Sequence, residues 1–120
     1  MKMEVSFILT TDELFTLITE MKGKTEAGKE FEKKALSGAV LCDLAGLAEK
    51  KLACIKEDEI ELVPVMRMII DAISNAEKIE CHGSYWEVCS AWVTLRCEKY
   101  LHNENHWKIS PIKEMVDQLL

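Results

Sequence analysis

In residues 35–49 only Ser37, Asp43 and Glu49 are clearly polar, and no other stretch so constrains what the chain can fold into. A run this poor in polar side chains predicts a helix covered on nearly all sides, with Gly38 and Gly46 permitting close approach of neighbours. Such a helix needs a domain around it. With 120 residues, 48% of them hydrophobic, the chain suffices for one compact domain, and no internal repeat, low-complexity tract or linker divides it.

The flanking segments show what would wrap this helix. Val5, Phe7 and Leu9 fall on one side and Glu4 and Ser6 on the other until Ile8, which predicts a short strand or extended lead-in. Thr10 and Glu13 then form a capping box, Leu14, Leu17, Ile18 and Met21 recur on one helical face, and Gly23 stands where that helix should stop. Residues 22–34 concentrate charge, so they are expected to form a surface loop and the exposed first turns of the next helix, anchored by Phe31. Further on, residues 52–56 and 60–63 flank Glu57-Asp58-Glu59, the pattern of a small hairpin. Pro64 ends it, and residues 65–76 place Val65, Met66, Ile69, Ile70 and Ile73 on the inward side of a helix.

Residues 84–101 support two periods. Ser84 and Glu87 could cap a helix, while Trp86, Val88, Trp92, Val93 and Thr94 suit strands, provided that a break interrupts so long a run. Strands are preferred, because residues 97–110 resemble a hairpin with an Asn103-Glu104-Asn105 turn between Tyr100 and Trp107. Ser110 and Pro111 have the chemistry of an N-cap and a first helical position, and Ile112, Met115, Val116 and Leu119 make the stripe of a closing helix. The expected fold is therefore an α+β single domain: a winged-helix-like helix-hairpin-helix core, a small antiparallel sheet and a C-terminal amphipathic helix.

A winged-helix frame raises the question of DNA, and charge answers it. The chain carries 15 basic and 21 acidic residues, a formal net charge of -6. A recognition helix needs donors for base edges and cations for phosphates. Residues 35–49 contain neither Lys nor Arg, and the hairpin tip is anionic, so no nucleic-acid partner is expected. Five cysteines without a Cys-x-x-Cys pair, and no signal-peptide-like start, suggest a reducing, cytoplasmic setting. The longest apolar runs fall short of the roughly 20 residues of a membrane span.

No catalytic fingerprint is present: the chain has no Gly-x-Ser-x-Gly, phosphate loop or dinucleotide motif. Cys81 adjoins His82, but neighbours on a strand point to opposite faces and make a poor dyad. Cys97, His102 and His106, completed by Cys89 or by Cys81 and His82, offer zinc-type ligands. The spacing lacks a paired-ligand knuckle, and buried thiols with histidines at a hairpin tip explain the same residues, so no metal, cofactor or catalytic residue is assigned. Glu57, Asp58, Glu59 and Glu61 lack calcium-loop spacing and suit a solvated turn. The aromatic residues carry the functional expectation, because Trp and Tyr dominate protein interfaces. Trp92, Tyr100 and Trp107 are the expected partner-binding residues, with Trp107 the one expected to be partly exposed.

"LTTDELFTLI", "LSGAVLCDLAGLAEKKLACIKEDEIELVPVMRMIIDAISNAE" and "WVTLRCEKYLHNENHWKISPIKEM" resemble, in element order, the EspG-like chaperones of type VII secretion systems. That resemblance implies a cytoplasmic adaptor capturing helical-hairpin secretion substrates through an aromatic-rich sheet. Residues 9–63 are also similar to the start of the Golgi phosphoprotein family, which binds phosphoinositide on membranes. What that similarity implies here is a helix-hairpin frame, since phosphoinositide binding needs a basic pocket where this chain is acidic. The expected function is non-catalytic protein binding, chaperone-like in its most specific form, with a possible homodimer covering any exposed sheet edge. The alternatives are a small winged-helix-like regulator and an acidic inhibitor acting on a nucleic-acid-binding partner.

Overall fold

In a computed structural model, residues 6–56, 59–100 and 103–112 are described. β1 (Phe7–Thr10) leads directly into α1 (Thr11–Thr19). The capping box expected from sequence forms here: Glu13 N–H donates to Thr10 Oγ1 at 3.0 Å, and Thr10 N–H to Glu13 Oε1 at 2.9 Å. α2 (Glu26–Ala35) follows, capped by Thr25, whose Oγ1 accepts from Gly28 N–H at 3.1 Å. α3 (Ala45–Glu49), the hairpin β2 (Ala53–Lys56) and β3 (Glu59–Leu62), and α4 (Pro64–Ser74) complete the first part. Pro64 occupies the start of α4, where its missing N–H costs nothing.

Among the described residues, the regular structure after α4 is all β. β4 (Lys78–Cys81), β5 (Tyr85–Cys89), β6 (Thr94–Tyr100) and β7 (Asn103–Pro111) form an antiparallel meander, and β1 pairs with β7 to give a five-stranded sheet of order β1-β7-β6-β5-β4. The first strand thus lies beside the last, and the intervening helices have one sheet face to cover. Leu9, Val88, Leu95, Cys97, Trp107 and Ile109 point to that face and are buried with Leu14, Ile18, Phe31, Met66, Ile70 and Ile73. Each such aliphatic or Phe side chain contributes about 1.5–3 kcal/mol by leaving water. The alternate positions, among them Glu87, Arg96, Glu98 and Lys108, form a second, polar face.

This architecture corrects the winged-helix expectation. The dominant element is a five-stranded sheet, and the β2–β3 hairpin pairs only within itself among the described residues. The long central helix is also absent. Residues 36–44 are non-helical, and α3 has five residues. Leu36 ends α2, and Gly38 at φ +84° turns the chain away. Side chains of α1 then supply the acceptors that a helix would have provided. Val40 N–H donates to Asp12 Oδ1 at 3.1 Å and Cys42 N–H to Thr16 Oγ1 at 3.0 Å, while Asp43 Oδ1 accepts from Ala45 N–H at 2.7 Å. The apolar run is anchored by buried Leu36 and Leu47, but Val40 and Leu41 are exposed.

Ser110 and Pro111 lie in β7, opposite Arg96 and Leu95, so they do not begin a helix. Ile112 N–H donates to Thr94 O at 2.9 Å, extending the pairing past the proline. The closing helix expected beyond Ile112 falls outside the described residues. No helix among the described residues is long and apolar enough to cross a membrane.

Candidate protein-docking cleft

The hairpin stands off from the main sheet, tied to α3 by Leu52 N–H, which donates to Leu47 O at 2.9 Å, and held by buried Ala53. A cleft of about 380 Å³ opens between it, the end of α1 and one flank of α4. Its floor is apolar: Leu17 from α1, Leu44, Ile60 and Leu62 from β3, and Ile70 from α4. Period-two alternation in β3 places Ile60 and Leu62 against the core and leaves Glu59 and Glu61 exposed. Glu20, the C-cap of α1, and Asp71 on α4 add carboxylates, and Arg67 is the one basic lining residue among the described residues. Among the described residues, carboxylates and one guanidinium therefore line the cleft together with apolar side chains.

The sequence-designated aromatics separate. Trp92, at the turn between β5 and β6, is 42% exposed. Its turn is held by Ser90, whose Oγ donates to Val93 O at 2.9 Å and accepts from Val93 N–H at 3.2 Å. Trp107 is buried at 1% exposure, which corrects the expectation of a partly exposed ring. The β6–β7 connection lies between paired Tyr100 and Asn103, so Asn103, Glu104 and Asn105 belong to the strand instead of the turn. Trp107 consequently sits well inside β7, opposite Leu9, with its ring edge-on to Phe31 at 6.1 Å. Trp86 packs on the same Phe31 at 5.9 Å. Tyr100 ends β6, and its side chain lies outside the described residues. The three do not form one described surface.

The residues weighed as zinc ligands also fail to converge. Cys97 points into the core, where burial pushes its thiol well above the ordinary range, whereas His106, by strand alternation, points to the opposite face. His102 falls outside the described residues. Glu80, His82 and Glu87 do come together, on the polar face of the β4–β5 hairpin, with one ligand-type atom from each lying within 4.8 Å of the others. Neither the cleft nor this trio was singled out from sequence. Both join positions distant along the chain or opposite across strands; the alternation of Glu59 to Leu62 was the one local sign of the cleft.

Comparison with protein-family models, curated proteins and solved structures gives no match.

Proposed function

We propose that this chain is a non-catalytic protein-binding adaptor whose cleft receives an amphipathic, basic segment of a partner protein. The carrying observation is the pairing of apolar lining residues with the carboxylates of Glu20, at the end of α1, and Asp71, on α4. Apolar side chains of the partner enter the floor and leave water, while its lysines or arginines meet the carboxylates. Charge complementarity of this kind selects partners and speeds encounter more than it adds affinity. The same carboxylates repel polyphosphate, in keeping with the net charge of -6. The more specific form, a cytoplasmic secretion chaperone for a helical substrate, rests on the resemblance in element order alone.

The test is a titration of the isotope-labelled chain with a helical Leu/Lys amphipathic peptide, followed by backbone-amide NMR. Saturable shifts confined to the end of α1, β3 and α4 support the proposal. Equal responses to a Leu/Glu peptide of the same pattern, or none to either, would overturn it.

A further inference from the structure

Glu80 and Glu87 are directly opposed on β4 and β5, on the sheet face opposite the one that the described helices cover. Like charges at opposed positions destabilise a strand pair, so this pair calls for a cation between its members. Lys78 pairs with Glu80, but Glu87 gains no such bond from Lys78. His82, following β4, places Nε2 at 3.4 Å from Glu80 Oε2 and 3.4 Å from Glu87 Oε2. Those separations are long for an N–H···O hydrogen bond, which clusters at about 2.9–3.0 Å. They match the edge of a metal tetrahedron: with nitrogen and oxygen ligands at about 2.1 Å, adjacent ligand atoms lie about 3.4 Å apart.

Groups outside the trio hold it in place. The imidazole stacks on the Tyr85 ring with centroids 4.8 Å apart and planes 18° from parallel. Arg96 in turn lies 3.9 Å from the centre of the Tyr85 ring. The Cys89 thiol sits 3.9 Å from Glu87 Oε1, leaving Oε2 as the oxygen turned to His82. Stacking and neighbouring contacts of this sort fix ligand orientation before an ion arrives.

We propose that Glu80, His82 and Glu87 bind one divalent transition-metal ion of the zinc class, with a fourth coordination position left open to solvent or a partner. One imidazole nitrogen and two carboxylate oxygens suit zinc, whereas calcium takes six to eight oxygens and magnesium keeps an octahedral water shell. The site lies on the polar sheet face and is independent of the docking cleft.

The test is a zinc titration of the full reduced chain, read by histidine-ring NMR and by calorimetry, with His82→Ala and Glu87→Gln measured alongside. Both positions are on the face opposite the described helices, and circular dichroism verifies folding. The expected result is a shift of the His82 ring signals complete at one equivalent, an unmoved His106, no response to magnesium, and at least about tenfold weaker zinc binding in each variant. His82 signals that stay put at one equivalent would overturn the site. Variants binding zinc as tightly as the parent would do the same, by assigning the metal to thiols such as exposed Cys54 and Cys81.

Discussion

Gly28→Ala tests how α2 is seated on α4. A Cβ at this position would lie 2.5 Å from Ser74 O and 3.0 Å from Ile73 O, and both atoms are backbone. Neither can swing aside, so the helices must part at their crossing. That movement strains two bonds that dock the start of α2 on the end of α4: Thr25 N–H to Ser74 O at 3.0 Å and Thr25 Oγ1 to Ala76 O at 2.6 Å. Overpacking of this kind costs about 1–3 kcal/mol. Each weakened hydrogen bond adds about 1 kcal/mol. The better helix propensity of Ala returns about 1 kcal/mol. The expected net loss is about 2–4 kcal/mol, read as a lower urea midpoint at unchanged slope. Lys29→Ala, at an exposed position on the same helix, should change stability by less than about 0.5 kcal/mol. A Gly28→Ala chain as stable as the parent, or more stable, would show that the close crossing of α2 and α4 is wrong.

Thr10→Ala removes the reciprocal cap of α1 and is expected to cost about 1 kcal/mol in the same denaturation assay. Trp107→Ala should cost about 3–5 kcal/mol as a core truncation. Trp92→Ala should cost far less, and iodide should quench the fluorescence of Trp92 while sparing that of Trp107. In a native-state thiol titration with a disulfide reagent, Cys54 and Cys81 should react first, and Cys97, buried with its thiol held protonated, only on unfolding.

The elements legible in sequence were those specified by near neighbours. The Thr10–Glu13 cap, the paired strands around the acidic turn, Pro64 at a helix start and the break between Trp86 and Thr94 all follow from residues a few positions apart. The losses came from partners remote in the chain. Residues 36–44 are as poor in polar side chains as a buried helix, yet Asp12 and Thr16, more than 20 positions earlier, take the N–H groups of Val40 and Cys42. Trp107 looked like a residue near a hairpin tip until β1, from the other end of the chain, paired with its strand. Ser110-Pro111 has the chemistry of a helix start, but pairing with β6 wins because it extends a ladder already formed. The cleft draws its walls from α1, β3 and α4, so no window of sequence contains it, although the acidity of one wall was plain.

The claim that a carboxylate rim over an apolar floor selects a basic amphipathic partner is tested most directly by reversing charge on both walls. In the Glu20→Lys/Asp71→Lys chain, calorimetry should show the Leu/Lys peptide binding at least about tenfold more weakly, a loss of about 1.4 kcal/mol. The Leu/Glu peptide should gain affinity in return. Affinities for both peptides that are indifferent to the swap would contradict the assignment of this cleft as the docking site.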